Sequence, residues 1–95
     1  MSAYVVIRAA VSDPEAYRRY AAASTAAAAT HGGRFLARGG KTLTLEGPED
    51  PRRVVILEFA DMAHAQAWYR SPEYQAAKAL REGAAVAEFL AVEGV

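Results

Sequence analysis

Residues 3–20 read AYVVIRAAVSDPEAYRRY, and the chain changes character at Ser12. The first nine are rich in β-branched residues, and Arg8 is their only charge. A run that is apolar on both parities is the pattern of a central strand, covered on both faces. Residues 13–15 then signal a helix start: Asp13 as N-cap, Pro14 at the first helical position and Glu15 in the first turn. The helix is predicted to run through the AAASTAAAAT tract to His31 and to stop at Gly32-Gly33. Its apolar stripe is Tyr17, Tyr20, Ser24, Ala27 or Ala28, and His31, at three- and four-residue steps. Alanine favours the helix and adds little bulk, which suits close packing on a sheet.

The same strand-then-cap grammar recurs. RVVILEF (53–59) is apolar on both parities except for Glu58, and Asp61 then caps a helix through Met62, Ala65, Trp68 and Tyr69. Ser71-Pro72-Glu73 repeats the signal of Asp13-Pro14-Glu15, because proline disfavours helical geometry at the residue before it. Two short helices are therefore expected, meeting at Ser71, the second carrying Tyr74, Ala77 and Arg81 on its stripe to Gly83. AVAEFLAVE (85–93) alternates as a last strand. Between the halves, RFLARGGKTLTLEG (34–47) alternates with Phe35, Ala37, Leu43 and Leu45 on one parity. It reads as one edge strand, or two short ones, bulged at the Gly39-Gly40 pair, with a turn-rich loop, EGPEDPR, after it. A strand pattern after the glycines argues against a phosphate loop, which must open a helix.

The order β-α-β-β-α-β, with right-handed crossovers, gives an α+β ferredoxin-like sandwich: a four-stranded antiparallel sheet with helices on one face, as a single domain over residues 1–95. Such a sheet leaves its other face bare, and a wet face should carry polar residues. Tyr4, Val6 and Ala10 on one central strand and Val54 and Ile56 on the other do not. A patch of this kind exceeds what monomers usually expose, so a homodimer stacked sheet on sheet is expected.

Composition narrows the partners. Eleven Lys and Arg offset eleven Asp and Glu, a poor basis for binding nucleic acid or an anionic membrane surface. With no cysteine, disulfides and thiolate chemistry are excluded, and His31 and His64 lie too far apart for a His-rich metal site. Neither a signal peptide nor an apolar segment of membrane-spanning length is read, so the cytoplasm is the expected address.

Four blocks carry a wider likeness: DPEAYRRY (13–20), GGRFLARGG (32–40), EGPEDPRRVVILEF (46–59) and AWYRSPEYQAAKALR (67–81). Together they resemble the bacterial family called domain of unknown function 1330, over essentially the whole chain. The alanine tract at 21–29 is more monotonous than that pattern. The resemblance implies a dimeric α+β barrel, in a superfamily that also holds cofactor-free monooxygenases, lactone isomerases and haem-binding enzymes. It implies no particular reaction, since fold does not fix function.

The candidate chemistry rests on six residues. Arg38 either steadies a carboxylate or enolate in a pocket or ties to a neighbouring acid on an edge strand. His31, at a helix end, is a general base or a surface residue favoured there by the helix dipole. Glu58 is a proton carrier or half of an interfacial ion pair; paired antiparallel, it and Arg8 fall at opposite strand ends. Trp68 and Tyr69 are adjacent and cannot both face the sheet, so one of them, or Tyr74, is expected to line a cleft near Ser71. No Ser-His-Asp, metal or dinucleotide signature is present. Two functions remain: a cofactor-independent acid–base enzyme acting on a small hydrophobic or carbonyl-bearing metabolite, with His31, Arg38 and Glu58 catalytic and Trp68, Tyr69 and Tyr74 holding substrate, or a non-catalytic homodimeric module that binds a small molecule.

Overall fold

Three side chains start the three helices. The Asp13 carboxylate accepts from the Ala16 amide (3.2 Å), Asp61 from His64 (2.8 Å), and the Ser71 hydroxyl from Tyr74 (3.1 Å). Each satisfies a donor that the first helical turn leaves without a partner. In the computed structural model, which describes residues 1–95, the elements are β1 (Ala3–Val11), α1 (Pro14–Thr30), β2 (Arg34–Arg38), β3 (Arg53–Phe59), α2 (Met62–Arg70), α3 (Pro72–Arg81) and β4 (Ala85–Glu93). The sheet order is β2-β3-β1-β4, and all three pairings are antiparallel. This is the expected βαββαβ sandwich.

One parity of each central strand meets the helices. Ala3, Val5, Ile7 and Ala9 of β1 and Val55, Leu57 and Phe59 of β3 are all buried. They join Tyr17, Tyr20, Ala27 and Ala28 of α1, and Trp68 and Tyr74 of the helix pair, in one core. Trp68, Tyr74, Phe59 and Leu57 are its largest wholly buried side chains. Burying a large apolar side chain of this kind is worth about 1.5–3 kcal/mol. His31 ends α1, and Gly32 comes next with φ +74°, the left-handed conformation that stops a helix.

The opposite parity is open. Tyr4, Val6, Val54 and Ile56 are only half-buried, and on β4 Val86, Leu90 and Val92 are 78%, 67% and 49% exposed. Apolar side chains from three of the four strands thus face away from every helix.

The segment 34–47 departs from expectation. Only Arg34–Arg38 is strand, and the bulge falls at Leu36, where the register slips between Phe35 and Ala37, instead of at Gly39-Gly40. Gly39 adopts φ +68°, donates a last hydrogen bond to the Val54 carbonyl (2.9 Å), and turns the chain off the sheet. KTLTL (41–45) keeps a strand's alternation but has no neighbouring strand, and Leu43 and Leu45 are exposed. Alternation without a partner does not make a strand, since the pairing supplies the stability.

Candidate functional site

β4 presents Ala85, Ala87, Phe89 and Ala91 to the helices, three methyl groups around one ring, and α2 answers with Ala63 and Ala65. Small side chains on facing elements leave space. The result is an open-mouthed cavity of about 770 Å³, bounded by α2, α3, β1 and β4, with 9 hydrophobic residues among the 12 that line it. That size falls in the range of small-molecule sites.

The aromatic residues of α2 and α3 reach it by way of the Ser71 joint. The Ser71 hydroxyl donates to the Trp68 carbonyl (2.7 Å) as α2 ends and accepts from Tyr74 as α3 begins. Trp68 is wholly buried against Phe59 (ring centroids 5.2 Å) and Tyr74 (4.6 Å), and also lines the cavity. Tyr69, half-buried beside Phe89 (5.7 Å), lines it too. Tyr74 lies behind this layer: its ring touches Trp68 and Tyr69, and its hydroxyl meets that of Tyr20 at 2.9 Å. Burial foremost, and then the neighbouring Tyr20, push the Tyr74 pKa well above the ordinary tyrosine value.

Two cations complete the lining, Lys78 and Arg81 of α3. Lys78 Nζ stands over the Tyr69 ring at 5.5 Å, and the Arg81 guanidinium over Phe89 at 5.1 Å and Tyr20 at 5.5 Å. Neither forms an ion pair. No carboxylate or histidine lines the cavity. Two buried donors in its walls, Trp68 Nε1 and Arg81 Nε, lack an acceptor. The sequence alone puts Arg81 on the stripe of α3 without a role and does not single out Lys78. The signal available is the alanine on the core parity of β4, which implies room beneath that helix.

Of the six residues expected to act, the fold brings Trp68 and Tyr69 to the cavity with Tyr74 stacked behind them. The other three stand apart. His31 Nε2 meets Glu73 Oε1 at 3.2 Å, joining the end of α1 to the start of α3. Arg38, carried to the helix face by the Leu36 bulge, donates to Thr25 Oγ1 (2.9 Å) and lies 4.1 Å over Phe35. It borders a gap of about 20 Å³, room for a single water. Glu58 sits on the open face and accepts from Arg34 (2.5 Å), its partner in register across β2 and β3. As the antiparallel register requires, Arg8 lies far from Glu58 and pairs with Asp50 (3.5 Å).

Asp50 also binds Arg52 (2.8 Å), which reaches Glu88 on β4. Hydrogen bonds from Arg52, above all, hold the Asp50 carboxyl down to about 2. This network crosses the open face, and a second hollow of about 420 Å³ separates the loop of Leu43 and Leu45 from Arg8 and Val54. No group of three or more His, Asp or Glu side chains is placed to hold a metal, and no helix is long and apolar enough to cross a membrane.

The architecture recurs in solved structures. A protein of unknown function from Rhodopseudomonas palustris superposes with a TM-score of 0.76 at 23% identity, over 99% of this chain and 82% of that one. SnoaB, a cofactor-independent oxygenase from Streptomyces nogalater, gives 0.71 at 19% identity, over 99% and 93%. A dimeric ferredoxin-like protein of unknown function from Jannaschia sp. CCS1 gives 0.71 at 17% identity, over 99% and 100%. At these identities the likeness establishes a common fold. No curated protein matches the sequence. The family model described as Domain of unknown function (DUF1330) matches residues 2–95, and the chain belongs to that family.

Proposed function

We propose that this protein is a homodimer, closed by the stacking of two open sheet faces into an α+β barrel, and that each protomer binds an apolar small molecule in the cavity beneath α2 and α3. The observation that carries the ligand reading is the cavity of about 770 Å³, walled mainly by hydrophobic side chains in a chain of only 95 residues. An open-mouthed cavity of that size leaves apolar side chains in water that an occupant would cover, which supports its use as a binding site. The dimer is supported by the apolar open face and by relatives described as dimeric. Covering even ~600 Å² of apolar surface is worth roughly 15 kcal/mol gross before association costs.

A second reading, a cofactor-independent enzyme acting on a hydrophobic or carbonyl-bearing metabolite, is favoured by the SnoaB likeness and by Tyr69 and Lys78, which bring transferable protons to the cavity wall. His31, Arg38 and Glu58 take no part in it at this cavity, since each is engaged elsewhere.

The neutral fluorophore N-phenyl-1-naphthylamine tests the ligand reading. Trp68, the sole tryptophan, lies in the cavity wall, so its emission reports occupancy. One probe per protomer is expected, with quenching of Trp68, and Ala87→Leu, which pushes a larger side chain into the cavity, should weaken binding while leaving the fold intact. Failure of every aromatic probe to bind the unsubstituted protein, or equal binding by Ala87→Leu, would overturn it.

A further inference from the structure

The lining of the cavity is lopsided in charge. The chain as a whole is neutral, and six ion pairs engage Arg8, Arg34, Arg52, His31 and His64 with acids. Eight of the eleven Lys and Arg side chains have no acid at ion-pair distance, and two of these, Lys78 and Arg81, are the formally charged residues of the cavity wall. Three positions apart on α3, they share a helix face and repel one another. What steadies them is aromatic: Lys78 over Tyr69, and Arg81 over Phe89 and Tyr20.

We infer that the natural occupant is a flat aromatic acid, its ring lying against Tyr69 and Phe89 and its carboxylate held by Lys78 and Arg81. Each part of the site fits one part of such a molecule. Tyr69 and Phe89, half-buried and in edge contact at 5.7 Å, present an aromatic wall to the cavity against which a planar ring packs. The fork of a guanidinium matches the geometry of a carboxylate, and an ammonium adds a point charge beside it. A neutral apolar molecule would leave both cations as they are. An aliphatic acid would meet the cations but waste the stacking surface.

This inference rests on the cavity being a ligand site, and the test separates the two. 2-Naphthoate and its neutral isostere 2-naphthamide are titrated into the full chain by isothermal calorimetry at low salt. At least tenfold tighter binding of the naphthoate is expected, and added salt should weaken the naphthoate alone. Lys78→Gln should weaken the naphthoate several-fold without changing the amide, Arg81 retaining part of the preference, and Lys78→Arg, which keeps the charge, should preserve all of it. Circular dichroism checks that both variants remain folded. Equal affinity for the two probes, or a preference unchanged by Lys78→Gln, would overturn the anion assignment while leaving a ligand site in place. Failure of both probes and of N-phenyl-1-naphthylamine to bind would remove the site itself.

Discussion

The hydroxyls of Tyr20 and Tyr74 meet at 2.9 Å in the core, 54 positions apart in sequence. Tyr74 and Tyr17 both have pKa values raised chiefly by burial. A group whose folded pKa lies above its unfolded value gives stability that is full below the unfolded value and lost progressively as pH rises from there through the folded one. Stability should therefore be level up to the ordinary tyrosine range near 10 and fall above it. Absorbance titration at 295 nm checks this: ionisation of Tyr17 and Tyr74 should be delayed beyond the ordinary tyrosine range and accompany unfolding. A level stability curve through pH 11 would contradict it. At this scale the sequence announces types better than partners. Glu58 is conspicuous as the one acid in an apolar strand, and Asp13 and Asp61 as caps. That His31 would find Glu73, or Arg38 find Thr25, depends on how α1 lies against α3 and β2, which no local pattern contains. Lys78 and Arg81 are inconspicuous for a related reason: a cation on a short helix looks solvated until the alanines opposite it are seen to leave a void.

Between α2 and α3 the whole connection is Ser71, at φ −65° and ψ 150°, and its side chain serves both helices. It is 6% exposed, so a lost hydrogen bond there is not replaced by water. Ser71→Ala should cost about 1–2 kcal/mol, the loss of a buried N-cap. In a domain of this length that corresponds to a fall of roughly 4–16 °C in Tm, measurable by thermal melts. Because the joint sets Trp68 and Tyr69 against Lys78 and Arg81, the same variant should also weaken probe binding, and a variant with unchanged Tm and affinity would remove Ser71 from this role. Helices are easy to place because their caps are written locally. The 34–47 segment is not, since Lys41–Leu45 has a strand's alternation and the absence of a neighbour is a property of the fold.

Across the whole molecule, the open face is the feature that most constrains behaviour. Its apolar parity on β1 and β3 is visible in AYVVIRAAV and RVVILEF, because two-sided hydrophobicity is a one-dimensional pattern. The ion network of Arg8, Asp50, Arg52 and Glu88 that crosses it is not, being assembled from β1, β4 and the loop before β3. Ile56 lies opposite Val6 near the middle of this face. Ile56→Glu should convert a two-chain particle into single chains in light scattering at micromolar concentration, since burying an unpaired carboxylate costs several kcal/mol. A single-chain mass for the unsubstituted protein would refute the barrel.

The two rims of the sheet are unlike. β2 is five residues long, broken by its bulge and flanked by Arg34 and Arg38, whereas β4 offers nine residues with an unpaired backbone row along its outer side. Strand-to-strand addition therefore finds one receptive rim and one blunt one. Two chains joined rim to rim through β4 would present only blunt ends to a third, so growth into ribbons has no second step. A protein this rich in uncovered β surface is thereby kept from fibrous polymerisation by the poor quality of its shortest strand.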